Sequence, residues 1–239
     1  MPDQRPAPLV SFVPTPIGNL ADITLRGLET LRAVDLIACE DTRHSRKLLN
    51  HYDVGKPLLS LHDHNEKRRI PEILRKTREG QRIAVISDAG TPCLSDPGHR
   101  LLCACQKAEV PYEVLPGASA ITTALVASGL PPLPFTFGGF LPHKKGKRER
   151  ELQAALDRSH TSLYFESPHR LVSTLEILTN INPLARISIT KELTKKFENI
   201  YGGQTLKLLE RFNDRPPRGE FVLAIDPTTS VDDPCHSLP

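Results

Sequence analysis

Five short, mainly apolar runs, each followed by a polar turn, set the strongest constraint on how this chain can fold. The runs predicted to be strands are 9–13, 36–39, 58–61, 83–86 and 112–115. Segments predicted to be helices separate them, and a strand that alternates with helices needs crossover connections that place successive strands parallel. The first half of the chain is therefore predicted to be an α/β domain with a mostly parallel sheet.

The fourth of these runs leads into the most informative loop. Ile83–Ile86 is β-branched and uncharged, as in a strand buried on both faces. It changes abruptly to the polar turn 87–92, at the strand end where open α/β sheets bind ligands. Asp96 is predicted to cap the next helix, with Pro97 in its first position. Considered alone, such a loop is better interpreted as an ordinary connection.

Polar clusters follow all five predicted strands, and this pattern changes the interpretation. The clusters are 14–19, 40–43, 62–65, 87–92 and 116–120. In a parallel sheet the carboxyl ends of the strands share one edge, so these loops are predicted to converge on one crevice. The G-x-G-x-x-G fingerprint and a Walker lysine motif are absent, which argues against a dinucleotide or a nucleoside triphosphate. A small polar ligand held mainly by backbone groups fits the crevice better.

Composition limits the class of protein. At 239 residues, with 38% hydrophobic and 25% charged residues, the chain fits a soluble protein of one large or two modest domains. We find neither an apolar run of membrane-spanning length nor a signal-peptide core, so a cytoplasmic protein without membrane attachment is expected. A net charge of +3 permits a nucleic-acid partner without requiring one. The five cysteines are expected to be reduced, buried thiols.

A proline-rich segment, 128–134, is the predicted boundary between two domains. The predicted domains are 9–127, α/β with a mostly parallel sheet, and 134–227, α/β with a mixed sheet. Residues 1–8 and 228–239 are predicted to be flexible. The second domain begins with the densest basic run of the chain, His143–Arg150.

S-adenosylmethionine suits such a crevice, because its adenine needs apolar walls and its sulfonium needs nearby oxygen atoms. None of this requires a metal. His62 and His64, with Asp63 or Asp41, are the one combination that suggests a metal site. They form no complete ligand set with recognisable spacing, so no metal is predicted.

Motifs along most of the chain resemble the 16S ribosomal RNA (cytidine-2′-O)-methyltransferase family, within the tetrapyrrole-methylase-like superfamily. The matching segments are 13–20, 39–43, 61–66, 87–92 with 96–98, 116–117, 139–142, 166–170 and 191–194. The resemblance implies two α/β domains with S-adenosylmethionine in the cleft between them, a homodimer, and methylation of a cytidine ribose in 16S rRNA of the 30S subunit. Relatives that carry a basic helical extension after the last strand differ from this chain, which stops soon after Asp226.

Site residues follow from the strand ends and from the resemblance. The predicted cofactor contacts are Pro16, Ser87, Asp88, Ala89, Gly90, Thr91, Pro92, Ser119 and Ala120. The candidates for proton transfer are Glu40, Asp41, His62, Asp63, His64 and Glu166, while Lys191 is a candidate for stabilising an alkoxide or binding a phosphate. The predicted RNA contacts are Arg43, Lys144, Lys145, Lys147, Arg148, Arg150 and Arg170.

Several alternatives stay open at this point. Glu40 and Asp41 can simply cap a helix, Glu166 and Arg170 can pair one helical turn apart, and the basic run can be a solvated helix start. A tetrapyrrole-type methylase of small molecules is an alternative function. A non-catalytic RNA-binding factor of ribosome assembly is another.

Overall fold

The structure, a computed structural model, describes residues 7–214 and 217–227. These residues divide into two compact units, the first ending at Ser119 and the second beginning at Ala120. This boundary precedes the predicted one at 128–134, because the helix Ala120–Ala127 packs against the last strand of the second unit. The predicted flexible segment 228–239 and residues 1–6 lie outside the described residues.

The first unit is an α/β domain with a fully parallel sheet. Its elements are β1 (Val10–Phe12), α1 (Leu25–Ala33), β2 (Leu36–Cys39), α2 (Thr42–His51), β3 (Leu58–Ser60), α3 (Glu66–Arg78), β4 (Ile83–Ile86), α4 (His99–Lys107) and β5 (Tyr112–Val114). The strand order is β3-β2-β4-β1-β5, and every pair is parallel. The predicted parallel α/β architecture is confirmed.

Helices cover both faces of this sheet. Ala84 and Ile86 of β4 belong to a core that includes Leu31 of α1. Val85, on the opposite face of β4, belongs to a second core with Leu101 of α4. Strand β4 is therefore buried on both faces, as its unbroken apolar run predicted.

The strand order places a topological switch point between β1 and β4. From β1 the chain crosses through α1 to β2 on one side, whereas from β4 it crosses through α4 to β5 on the other. The two connections leave the same edge toward opposite faces of the sheet, which opens a crevice at the carboxyl ends of these neighbouring strands.

The second unit contains a mixed sheet, as predicted. Its elements are α5 (Ala120–Ala127), β6 (Phe135–Phe140), α6 (Lys145–Asp157), β7 (Thr161–Glu166), α7 (Leu171–Ile181), β8 (Arg186–Lys191), β9 (Asn199–Gln204), α8 (Thr205–Asn213) and β10 (Phe221–Asp226). The order is β6-β7-β10-β8-β9, with only β6 and β7 parallel. Side chains of α6, α7 and α8 share one core with buried Tyr164 of β7. Within the described residues no helix is long and apolar enough to cross a membrane.

One helix start differs from the prediction in a way that affects the site. Helix α4 begins at His99, with Gly98 as N-cap at φ 120°, so Asp96 is not its cap. The capping acceptor comes from another helix: Oε1 of Glu66 accepts hydrogen bonds from the backbone N–H groups of Gly98 (3.2 Å) and Leu101 (3.1 Å). Glu66 is 2% exposed, so this carboxylate is devoted to fixing the start of α4 against α3.

Candidate functional site

The loops that follow β1 and β4 are joined by backbone hydrogen bonds at the switch point. The N–H of Thr15 donates to the carbonyl of Gly90 and the N–H of Gly90 donates to the carbonyl of Thr15, both at 2.9 Å. The hydroxyl of Thr15 donates to the carbonyl of Ser87 at 3.1 Å. Gly90 has φ 78°, a conformation that side chains disfavour, so glycine is needed for this pairing.

The loop after β5 closes the other side of the loop after β1. A Cβ placed on Gly117 would lie 2.7 Å from Cβ of Pro14, so the two backbones pack with no room for a side chain. The hydroxyl of Thr91 donates to the carbonyl of Ala118 at 3.2 Å, which ties the loops after β4 and β5 together. The loops 14–19 and 87–92 and residues 116–119 thus lie together within the first unit. The last residue of the predicted loop 116–120, Ala120, begins the second unit.

Hydroxyl groups in these loops hold the loops to one another. Besides Thr15 and Thr91, buried Ser87 donates to the carbonyls of Ala89 (3.3 Å) and Gly90 (3.1 Å). The side chains of Ser87 and Thr91 thus support the loop backbone, and the cofactor contacts expected of these two residues stay predictions. A ligand at this edge would therefore meet backbone groups, the exposed Ala89 and the carboxylate of Asp88.

The end of β2 adds two further carboxyl groups with different roles. Asp41 caps α2, since its Oδ1 accepts from the N–H groups of Arg43 (2.8 Å) and His44 (3.4 Å). The backbone bond from Arg43 is the main cause that lowers the pKa of Asp41. Oδ1 of Asp88 accepts from the N–H of Asp41 at 3.1 Å, which connects the loops after β2 and β4. Asp41 thus has the capping role that its sequence context allowed.

Glu40 and Asp96 are less committed to structure. Burial raises the pKa of Asp96 to about 7, with further increases from the carboxylates of Glu40, Asp88 and Asp63. Burial is also the main cause that raises the pKa of Glu40. The negative charges of Asp88 and Asp63 raise it further, and His62 lowers it. Neither side chain makes a hydrogen bond to any described residue. Two half-buried carboxyl groups near each other, one poised near neutrality, can accept or release a proton.

Asp96 was not among the predicted site residues, because the segment Asp96-Pro97-Gly98 has the composition of a helix start. The backbone uses Gly98 and the distant Glu66 for that purpose, which leaves the Asp96 carboxyl free of a capping role. The structure shows backbone strain in the loop that carries Asp96, a feature common at functional sites: Cys93 (φ 75°) and Ser95 (φ 66°) both have left-handed backbone conformations.

The two histidines after β3 lie in a turn, with ring centroids 5.9 Å apart. The Oδ1 of Asn65 accepts from the N–H of His62 at 2.9 Å and holds this turn. Across residues 7–214 and 217–227, no group of three or more His, Cys, Asp or Glu side chains could hold a metal ion. Burial raises the pKa of Cys39, Cys93 and Cys105, which keeps these thiols protonated and unreactive, while Cys103 is exposed, unlike the predicted buried thiols.

Three predicted site residues of the second unit are engaged in holding its structure. Glu166 is 3% exposed; its Oε1 lies 2.8 Å from Arg170 and its Oε2 accepts from the hydroxyl of Thr174 at 2.6 Å. The pair that the spacing of Glu166 and Arg170 allowed is therefore present. Arg148 is 5% exposed and donates to the carbonyls of Pro142 and His143. Burial and these bonds argue against Arg148 as an RNA contact and against Glu166 as a base.

The remaining predicted residues of the second unit are accessible. Lys144, Lys145, Lys147 and Arg150 are exposed around the start of α6, and Lys191 is half-buried at the end of β8. Their contacts with RNA or with a developing negative charge stay predictions. In the first unit, Arg43 has a side chain that is 90% exposed.

The chain is similar in sequence to proteins of known family. The family of tetrapyrrole (corrin/porphyrin) methylases matches residues 9–208. The ribosomal RNA small subunit methyltransferase I of Synechocystis sp. is 43% identical over 230 residues, which cover 96% of this chain and 82% of the relative. The protein of the same name from Escherichia coli O157:H7 is 45% identical over 218 residues, 90% of this chain and 76% of the relative.

Solved structures share the fold at low identity. A diphthine synthase superposes with a TM-score of 0.70 at 14% identity, covering 90% of this chain and 88% of that one. A cobalt precorrin-4 methyltransferase superposes with a TM-score of 0.67 at 16% identity, covering 92% and 95%. These likenesses establish the architecture and leave the substrate to other arguments.

The raised pKa of Asp96 predicts a specific dependence of stability on pH. Because its pKa is about 7 in the folded protein against an ordinary 3.8, the folded state retains a proton that the unfolded chain releases. This group therefore lowers the free energy of unfolding progressively from about pH 4 to about pH 7. An asparagine side chain cannot ionise, so Asp96→Asn should gain stability relative to wild type between about pH 5 and about pH 8. Each kcal/mol corresponds to about 2–4 °C in Tm.

Thermal unfolding of Asp96→Asn and of the wild type, followed by calorimetry or circular dichroism at about pH 5 and about pH 8, measures this difference in stability. Asp22→Asn, which changes an exposed carboxylate, is the matched control and should show no comparable change with pH. A difference between Asp96→Asn and wild type that is the same at both pH values would show that Asp96 ionises freely in the folded protein.

Proposed function

Because this chain belongs to the tetrapyrrole methylase family and, within it, to the ribosomal RNA small subunit methyltransferase I group, we propose that it methylates the ribose 2′-hydroxyl of a cytidine in 16S rRNA. The chain is thus a methyltransferase. Its relatives of this name are 41% to 46% identical over most of its length. The choice of a cytidine 2′-oxygen rests on the resemblance of its motifs. The convergence of three loops at the switch point of the first sheet is the observation that supports a binding site there.

We propose that S-adenosylmethionine is the methyl donor, which supplies an electrophilic methyl group on a sulfonium ion. The residues at the switch point fit this ligand. Backbone groups of the three joined loops suit an adenosine, and the carboxylates of Asp88 and Glu40 are oxygen atoms that favour a nearby positive charge. Pro16, Ala89 and Ser119 belong to the same loops and stay predicted contacts.

The chain's part in the reaction is to align the acceptor oxygen, exclude water and remove a proton. A 2′-hydroxyl is a weak nucleophile at neutral pH, so a base that takes its proton as the new C–O bond forms assists the displacement. We propose that the Glu40–Asp96 carboxyl pair takes this proton. Both groups lack hydrogen-bond partners among the described residues. Burial raises the pKa of both, and the pKa of Asp96, at about 7, suits proton transfer near neutrality.

Partner and compartment follow from the proposed substrate. We propose that 16S rRNA is recognised within the 30S subunit, which places the protein in the cytoplasm, and that the chain forms a homodimer, as the resemblance implies. Light scattering of the purified protein measures the last point, and the mass of a single chain would contradict it.

The reaction can be tested by giving purified protein and S-adenosylmethionine with a radiolabelled methyl group to unmodified 30S subunits and to naked 16S rRNA. We expect label on the ribose of one cytidine, found by nuclease digestion and chromatography of the nucleosides. Label on a base would contradict the assigned acceptor. Label on a free tetrapyrrole instead of RNA would favour the small-molecule alternative, and no heat of cofactor binding would favour a non-catalytic RNA-binding factor.

The proton acceptor can be tested through the pH dependence of kcat. A carboxylate must be ionised to accept a proton, so kcat of the wild type should rise as pH increases through about 7. Asp96→Asn and Glu40→Gln should each lower kcat by roughly 10² to 10⁴ fold, the usual contribution of general-base catalysis, and should flatten this rise. Both variants retaining the wild-type profile would exclude the pair.

The cofactor site can be tested by closing the gap between two loops. In Gly117→Ala the new methyl group would lie 2.7 Å from Pro14, so the loops after β1 and β5 must separate. We expect the affinity for S-adenosylmethionine to fall by about 10-fold or more, equivalent to roughly 1.4 kcal/mol, by calorimetry. Gly55→Ala is the control, because nothing lies within 4 Å of its new methyl group. Equal affinities of the two variants would place the cofactor elsewhere.

A further inference from the structure

The first turns of α3 and α4 are held side by side at the carboxyl edge of the first sheet. Oε1 of Glu66, the first residue of α3, accepts from the N–H groups of Gly98 and Leu101 at the start of α4. The carboxylate is buried, so the junction is a fixed part of the unit. The residues next to it in sequence, Lys67 and Arg68 on α3 and Arg100 on α4, therefore lie in the adjacent first turns of the two helices.

These three residues, called here the α3–α4 cation patch, are exposed and have no acidic partner among the described residues. Farther along α3, two arginines are paired with acids. Arg69 lies 2.7 Å from Glu72, and Arg75 lies 2.7 Å from Glu79. On α3, therefore, Lys67 and Arg68 in the first turn and Arg78 in the last turn have no acidic partner among the described residues.

The position of the patch opposes the local electrostatic preference. The N-terminus of a helix carries a partial positive charge that favours acids and disfavours cations, by about 0.3–1 kcal/mol for each charge at the surface. Like charges on adjacent first turns add repulsion. Both effects disfavour these cations, and a bound polyanion beside the loops that carry Asp63 and Asp96 would offset them.

We propose that the α3–α4 cation patch binds the phosphate backbone of the substrate RNA next to the nucleotide that is methylated. The inference rests on the proposed function, which it extends from the basic run of the second unit to a surface of the first. Phosphate contacts at this edge would fix the register of the RNA strand, while the carboxylates behind them face the ribose. RNA is favoured over an acidic protein surface because a phosphate chain offers evenly spaced charges to single exposed cations.

The test compares two pairs of substitutions at opposite ends of the same helices. Arg68→Gln with Arg100→Gln removes two charges from the patch. Arg78→Gln with Lys107→Gln removes two exposed charges from the last turns of α3 and α4, so both variants have the same net charge. Binding of radiolabelled, unmodified 16S rRNA is measured by filter retention over a range of salt concentrations, together with methyl transfer to 30S subunits and calorimetry with S-adenosylmethionine.

We expect the patch variant to lose about 10-fold in RNA affinity at moderate salt and about 1.4 in the slope of log affinity against log salt. Its cofactor affinity and its kcat at saturating RNA should stay at wild-type values, with a raised KM. Its Tm should be unchanged or higher, because the helix dipoles disfavour the removed charges. The control variant should bind RNA as the wild type does.

Equal losses in the two variants would mean that only net charge matters, and no loss in the patch variant would mean that RNA does not meet this surface; either result overturns the inference. The proposed function is judged separately by the wild type. If wild-type protein labels no rRNA, the proposed function fails, while RNA binding by the two variants still decides whether the patch contacts RNA.

Discussion

The pair of hydrogen bonds between Thr15 and Gly90 is the interaction on which the site depends. It joins the ends of β1 and β4, two neighbouring strands whose connections leave toward opposite faces of the sheet. Without this pairing the two loops would diverge with their helices. Gly90 makes it possible through a left-handed backbone, and the Thr15 side chain adds a bond to Ser87. The loops after β2 and β5 then attach through Asp88 and Thr91.

Burial of carboxyl groups beside these loops gives the edge its chemistry. Burial of Asp96 itself, followed by the negative charge of Glu40, Asp88 and Asp63, holds the pKa of that side chain near neutrality. Such an arrangement disfavours the ionised folded state, and proteins retain it where a cation or a proton transfer compensates. A sulfonium ligand and a hydroxyl that must lose its proton are two partners of that kind. The structure thus links a local loss of stability to the proposed reaction.

Much of this could be predicted from the sequence, for physical reasons that differ between residues. The strand ends follow from abrupt changes between apolar and polar runs, and parallel pairing then brings 14–19, 87–92 and 116–119 together. The roles of Asp96 and Glu66 could not be predicted, because one has the context of a helix cap and the other caps a helix that begins only after the next strand. Arg148 has the same charge as its exposed neighbours, and only packing shows that it faces inward.

Amide hydrogen exchange with and without S-adenosylhomocysteine tests whether the joined loops of the first unit bind the methyl donor. The stable product analogue allows the measurement without turnover. We expect slower exchange in peptides that cover 14–19, 87–92 and 116–119, while the amides of the helix ends at Arg78 and Lys107 exchange as in the free protein. Protection confined to other segments, with these three loops exchanging as in the free protein, would contradict it.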